Sequence, residues 1–329
     1  MTRDYWRPVA LGEAGLPLAG GPLRFAAAER LRRGATPEVL PLDALPEDWR
    51  VRLCAPRGVA GLALPAGRPA VMGILNVTPD SFSDGGWLEG PNVAVAAAHA
   101  MVAAGADIVD VGAESTRPGA APVPLDEEVR RLAGVMPGLA GLCWSIDARK
   151  SVVMAQALEA GAALVNDVSA LQHDPAALSL LSGRDCPVVL MHAQGDPETM
   201  QQAPHYGDVL LDVFDWLEAR LAACEAGGIA RRRMMADVGI GFGKTVAHNL
   251  ALLKGLALFH GLGVPLLLGA SRKKMIGTIA GEAPVTERLG GSLALALHGA
   301  ACGVQVVRVH DVPQTVQALR LWQASRDGV

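Results

Sequence analysis

Nine polar residues stand at or near the ends of short apolar runs, where burial alone gives no reason to choose them: Asn76, Asp110, Asp147, Asn166, His192, Asp237, Ser271, Arg308 and His310. Their side chains accept and donate hydrogen bonds and hold anions, which is the work of a site that grips a polar small molecule. Arg308 and His310 lie two residues apart in VVRVHDV, so on a strand both project from one face and make an anion site. A single such residue is ordinarily a strand-end cap or a satisfied loop contact. A convergent set is a functional site, provided that a scaffold brings the ends together.

The spacing supplies that scaffold. The runs are AVMGIL (70–75), DIVDVG (107–112), LCWSID (142–147), ALVND (163–167), PVVLMH (187–192), RMMADVG (233–239), PLLLGAS (265–271) and VQVVRVH (304–310). Most are separated by Ala- and Leu-rich stretches with helical spacing, such as NVAVAAAHAMVAAG (92–105), RKSVVMAQALEAG (149–161) and GDVLLDVFDWLEARLAACEAGG (207–228). Strands alternating with helices give a parallel sheet. From Leu75 to Val309 the runs recur about every 33 residues, the size of a βα unit. Eight units close into an α/β fold of the (β/α)8 TIM-barrel kind, whose strand ends all meet at the C-terminal mouth. An open doubly wound sheet is the competing architecture, but it usually has fewer strands and places its ligand at one switch point.

Composition agrees with one barrel. The 329 residues are 50% hydrophobic and 19% charged, which suits strands buried on both faces and argues against disorder. A net charge of -4 without a long basic stripe removes the footprint of a nucleic-acid binder. The densest basic run, RRR at 231–233, reads as a solvated helix-to-strand loop. Cys54, Cys143, Cys186, Cys224 and Cys302 contain no C-x-x-C pair and read as buried free thiols in a reducing compartment. No apolar stretch approaches the roughly 20 residues that span a bilayer. The N-terminal MTRDYWRPVA lacks a signal-peptide core, so a cytoplasmic protein is expected.

Residues 1–69 do not follow the barrel's rhythm. They carry ten arginines, no lysine and seven acidic residues, too many acids for a transit peptide. Pro and Gly interrupt them repeatedly, with one short helix expected around RFAAAERLRRG (24–34). They are expected to form an extension, of unknown role, on the outside or bottom of the barrel formed by 70–329.

The motifs themselves add a resemblance. MGILNVTPDSFSDGG (72–86), DIVDVGAESTRPGA (107–120), SIDARK (145–150), LVNDVSAL (164–171), MHAQGDPETMQ (191–201), ADVGIGFGK (236–244), LLGASRKKMIG (267–277) and VVRVHDV (306–312) resemble the successive signatures of the dihydropteroate synthase family, over about residues 70–325. This chain has Ala113, Ala148, Val238 and Lys274 where family members commonly have Gly, Thr, Pro and Ser.

The resemblance implies that a dihydropterin methyl diphosphate joins p-aminobenzoate, with Mg2+ present and pyrophosphate leaving. It implies that Asp110, Asp147, Asn166, Met191, Asp237 and Lys273 hold the pterin, and that Asn76, which would also ligate magnesium, serves the diphosphate with Thr116, Arg117, Arg308 and His310. It assigns p-aminobenzoate to Thr116, Pro118, Phe242, Lys273 and Lys274, and catalysis to Asp110, Lys273, Arg308 and His310. The loops over 77–86 and 113–124 would be lids that close on bound pterin, giving ordered addition. Asp147 and Asn166 suit such a ligand physically, because a carboxylate and a carboxamide match a planar amide and guanidine edge pairwise. No Ser/His/Asp or Cys/His arrangement is needed, since an aromatic amine is already a neutral nucleophile.

The chain has only five lysines against 24 arginines, and four of the five, Lys150, Lys244, Lys273 and Lys274, fall inside these motifs. That bias points to a demand for the compact ammonium. Lys244 itself is expected at a loop or helix start. Two other functions share the fold: a methyltransferase acting on a methylated reduced folate and a corrinoid, and a pterin-binding barrel without turnover. Neither needs the Asn76, Arg308 and His310 set. The family's habit and the apolar GGSLALALHGAACG (290–303) favour a homodimer.

Overall fold

The computed structural model describes residues 3–77, 90–115, 119–195 and 199–328. The chain begins with an antiparallel sheet of β1 (Tyr5–Gly12), β2 (Leu16–Pro17), β3 (Arg24–Leu31) and β4 (Glu38–Leu40), in which β3 pairs with the other three. The helix expected over 24–34 is therefore wrong. Ala, Glu and Arg favour a helix there by only tenths of a kcal/mol per residue. The ladder to Tyr5–Gly12 outweighs that preference, and the Arg7–Glu29 and Arg30–Glu38 ion pairs join neighbouring strands. The extension's helix lies later, at α1 (Glu47–Cys54), with Glu47 and Asp48 in the first turn where the helix dipole favours acids.

This sheet packs on the flank of the barrel. Tyr5 meets Phe214 edge-on with centroids 5.6 Å apart, and Trp49 stacks on the same ring at 5.7 Å. Arg3 and Arg33 reach Asp215 on the same helix. A later segment turns under the barrel, where Val59 and Leu62 join a buried apolar cluster with Met72, Ile108, Leu164, Val189, Met235, Leu267 and Val306.

The barrel strands are β5 (Ala70–Asn76), β6 (Ile108–Gly112), β7 (Trp144–Asp147), β8 (Leu164–Asp167), β9 (Val188–Met191), β10 (Met234–Asp237), β11 (Leu266–Leu268) and β12 (Val306–Val309). Each pairs in parallel with the next, and β12 returns to β5, so the barrel closes as the spacing requires. Around it lie α2 (Pro91–Ala103), α3 (Leu125–Ala133), α4 (Ser151–Glu159), α5 (Pro175–Ser182), α6 (Val209–Ala226), α7 (Val246–Lys254), α8 (Lys274–Ile279), α9 (Leu289–Ala301) and α10 (Val312–Asp327). Local chemistry starts several of them: the Asp174 and Asp208 carboxylates accept from the first-turn amides of α5 and α6, and Thr245 and His248 form a reciprocal cap on α7.

Two expectations need correction. Arg233 is not solvated; it is buried and donates to the backbone carbonyls of Cys186 and Leu181. All five cysteines are free, but only Cys186, Cys224 and Cys302 are buried, with Cys54 and Cys143 half-buried. Among the described residues no helix is long and apolar enough to cross a membrane.

Candidate active site

At the C-terminal mouth, β12 sends Arg308 across the barrel to β6 and β7. Its Nε donates to Asp110 Oδ2 at 2.5 Å and its Nη2 to Asp147 Oδ2 at 2.6 Å. Asp110 also accepts from Ser145 Oγ at 2.5 Å and from Asn166 Nδ2 at 3.1 Å. Four strands thus contribute to one hydrogen-bonded network. Asp237, at the end of β10, accepts the Gly239 amide at 2.8 Å.

Three buried carboxylates meet here, with the Arg308 guanidinium against Asp110 and Asp147 and the Lys273, Lys244 and Arg308 charges acting on Asp237. Asp110 is fully buried and Asp147 is 8% exposed, yet Asp147 Oδ1 is buried with no hydrogen-bond partner among the described residues. A buried orphan acceptor costs free energy unless a ligand's N–H completes it. Burial pushes the Asp147 carboxyl up to about 7 against the pull of Arg308, and the like charge of Asp110 adds to the rise. Burial also raises Asp237. It works against charge on Arg308, but Asp110 and Asp147 outweigh it and hold the guanidinium firmly protonated.

Met191, at the end of β9, and Phe242, in the loop after β10, line a cavity of about 310 Å³ together with Arg149, Val168, Ser169 and Trp216. Lys273 Nζ lies 4.0 Å from the Phe242 ring centroid, a cation–π contact. Lys274 is exposed at the first residue of α8, and Asn76 is partly buried at the end of β5. Arg308 and His310 take different partners: His310 Nδ1 lies 3.0 Å from Ser271 Oγ. Thr116, Arg117 and Pro118 lie outside the described residues, as do 78–86 of the first expected lid.

A family model described as pterin binding enzyme matches residues 72–310. The dihydropteroate synthase of Escherichia coli K12 is 47% identical over 268 residues, covering 80% of this chain and 94% of that protein. The Xanthomonas albilineans dihydropteroate synthase solved with 4-aminobenzoic acid is 46% identical with a TM-score of 0.74, over 79% of this chain and 93% of that one. The Burkholderia cenocepacia enzyme solved with 7,8-dihydropteroate is 43% identical with a TM-score of 0.73, over 79% and 92%. This chain belongs to the dihydropteroate synthase family.

Around the mouth of this dihydropteroate synthase barrel lie buried charges that sequence reasoning passed over. Lys244 lies in the loop just before α7, as expected, but is only 3% exposed, and its N–H groups are shared among the carbonyls of His192, Gly239 and Phe242 and the His192 Nδ1 2.9 Å away. Burial lowers Lys244 to about 7, and burial with the Lys244 charge holds the His192 ring far below its ordinary range, so His192 Nδ1 is an acceptor. His192 therefore braces a loop rather than facing the Asp110 network. A second cluster joins Glu114, Arg149, Lys150 and Glu128: Lys150 Nζ lies 3.2 Å from Glu114 and 2.5 Å from Glu128, while Glu114 accepts the Val123 amide at 3.0 Å. It fastens the described ends of the 113–124 segment to each other. The available signal was the scarcity of lysine, since Lys150 and Lys244 keep an ammonium where an arginine-rich chain would otherwise use a guanidinium.

Proposed function

We propose that this protein is a transferase that condenses a (7,8-dihydropterin-6-yl)methyl diphosphate with p-aminobenzoate, giving 7,8-dihydropteroate and pyrophosphate in folate biosynthesis. The observation that carries the reading is the Arg308 clasp on Asp110 and Asp147 with an orphan carboxylate oxygen beside it. That arrangement presents acceptors to a planar heterocycle rich in N–H groups and keeps one fixed cation nearby.

Asp110, Asp147, Asn166 and Asp237 would grip the ring edge, with Met191 against its face and Lys273 alongside. The amine nitrogen attacks the exocyclic methylene carbon, the bond from that carbon to the diphosphate oxygen breaks, and the amine's proton is lost to solvent. The Asp110 and Asp147 carboxyl oxygens would favour the positive charge that spreads into the ring as the C–O bond opens. Arg308 and His310, with Asn76, Thr116 and Arg117, would receive the departing diphosphate. Phe242, Pro118, Thr116, Lys273 and Lys274 would surround p-aminobenzoate.

Magnesium fits this donor set only as a companion of the diphosphate. Among the described residues no group of three or more His, Cys, Asp or Glu could cage an ion. Asn76 offers one hard oxygen donor at the end of β5, and Mg2+ commonly takes few protein ligands and completes its shell with phosphate oxygens and water. When bound it would neutralise charge on the leaving group. We extend the proposal to a cytoplasmic homodimer, for which the apolar 290–303 stretch is the support.

The test mixes purified protein, Mg2+, the pterin diphosphate and p-aminobenzoate, and follows pyrophosphate and dihydropteroate. Equal amounts of both products are expected. No product with the wild type, or an undiminished rate in Lys273→Ala and Arg308→Ala, would overturn the assignment. The methyltransferase reading has no diphosphate and gives Asn76, Arg308 and His310 no anion to receive.

A further inference from the structure

The loop after β10 is built around one buried ammonium. Gly239, Gly241 and Gly243 all adopt left-handed φ, at 68°, 84° and 60°, so the backbone between Asp237 and Lys244 cannot join a ladder. Its polar groups find other partners. The Gly241 amide donates to Asn249 Oδ1, the Gly241 carbonyl accepts from Gln201 Nε2, and the Gly243 carbonyl accepts from Tyr206 Oη at 2.8 Å. The Gly239 and Phe242 carbonyls turn inward to Lys244 Nζ, at 2.9 and 3.0 Å, and the same nitrogen reaches the His192 carbonyl and ring. A Cβ at Gly239 would sit 1.9 Å from the His192 carbonyl oxygen, so the two segments touch too closely for any other residue.

Lys244 meets the wall only from behind, through the Phe242 backbone carbonyl, and acts on Asp237 through charge alone. Its ammonium joins both ends of the loop that displays Phe242, which lines the mouth cavity and lies under Lys273. Removing that cation would strip partners from several buried carbonyls at once, and such groups are costly when unpaired. Asp237 is held differently, through strand pairing to both β9 and β11. We propose that Lys244 is a positioning residue that sets the Phe242 wall of the p-aminobenzoate subsite, acting through backbone geometry without touching substrate; this rests on the function proposed above.

The experiment compares wild type, Lys244→Met, Tyr206→Phe and a remote core control, Leu139→Ala. Lys244→Met keeps the stem and removes the cation; Tyr206→Phe removes one outer hydrogen bond of the same loop. Steady-state kinetics are measured with each substrate varied, pterin diphosphate affinity by calorimetry, melting by circular dichroism, and amide hydrogen exchange by residue. Expected for Lys244→Met is a KM for p-aminobenzoate raised at least about tenfold, pterin diphosphate affinity within about threefold, and faster exchange over 239–244 than in β5 to β8. Tyr206→Phe should move the same KM by a few fold, whereas Leu139→Ala should melt earlier with KM unchanged. An unchanged KM for p-aminobenzoate in folded Lys244→Met overturns the proposal. So does a KM shift that Leu139→Ala reproduces at equal loss of melting temperature. If Lys244→Met does not fold, an unmoved KM in Tyr206→Phe overturns it. Wild type without turnover sinks the functional reading instead, and exchange over 239–244 then decides the role of Lys244 in the loop.

Discussion

The two ends of the barrel are made from the same strands and contain opposite chemistry. At the floor, Val59 and Leu62 close over Met72, Ile108, Leu164, Val189, Met235, Leu267 and Val306, a cluster without a charged side chain. At the mouth, a few residues further along β6, β7, β10 and β12, stand Asp110, Asp147, Asp237 and Arg308, buried or partly buried and mutually charged. Apolar burial stabilises by about 25 cal/mol per Å² wherever it occurs, whereas a buried ion pair contributes little net stability and is badly destabilising when one partner is lost. The floor holds the fold; the mouth is tuned for a ligand at some expense to stability.

The sharpest way to break that contrast is to remove the cation from the mouth. Arg308→Met should lower kcat/KM by about a thousandfold or more, because it deletes the charge proposed to receive the leaving group and leaves Asp110 and Asp147 to repel each other. Stopped-time product assays with a circular-dichroism melt measure both consequences. A variant that melts early but turns over at the wild-type rate would make the mouth's charges structural, like the floor's methyl groups.

The same contrast explains what was legible in the sequence. Closed strands buried on both faces have to be apolar, so Asp110, Asp147, Asn166, Asp237 and Arg308 stood out as exceptions, and the spacing of about 33 residues located them. The floor's closure was not legible, because Val59 and Leu62 lie in a Pro- and Gly-broken segment whose partners are distant in sequence. β3 was misread for a related reason: local propensity favoured a helix, and only the ladder to β1 decided otherwise. Lys244 and Arg233 show the limit for long cations, whose burial depends on which backbone carbonyls the fold happens to converge around them.

Asp147→Asn probes the orphan acceptor, with a smaller expected loss of about ten- to a hundredfold in pterin diphosphate affinity. Its pH dependence has a definite sign. Asp147 is raised by burial to about 7 in the folded protein, so the native state holds a proton that the unfolded chain has already released. Stability from this group therefore falls as pH rises from the ordinary carboxylate range towards 7, and the substitution removes that dependence. Affinity should run the other way: in the proposed binding the ionised oxygen accepts the ring's N–H, so wild-type binding is expected to strengthen as pH rises through 7, while Asp147→Asn stays flat. Calorimetric titrations at pH 6, 7 and 8 test this, and a flat wild-type profile would assign the ring's donors to other oxygens.

At the floor, Leu62→Ala should do the reverse. Removing a buried leucine side chain costs about 2–4 kcal/mol by lost transfer energy and cavity formation. Urea unfolding should show that loss while kcat and both KM values stay within about twofold. A large kinetic change would mean that the two ends of the lumen are mechanically coupled.

The smallest effect belongs to Lys274. It is exposed at the start of α8, while its neighbour Lys273 lies over Phe242. Two unit charges 4 Å apart in water attract by only about 1 kcal/mol, and salt at 0.1 M screens over about 10 Å. Lys274→Ser should therefore raise the KM for p-aminobenzoate by no more than about fivefold, and the difference should shrink as ionic strength rises. Lys273→Ala loses a cation held against an aromatic face at the mouth, so its effect should be larger and persist at high salt. Measuring both variants at two salt concentrations separates a solvated helper charge from a built contact, and equal, salt-insensitive losses would place Lys274 inside the site.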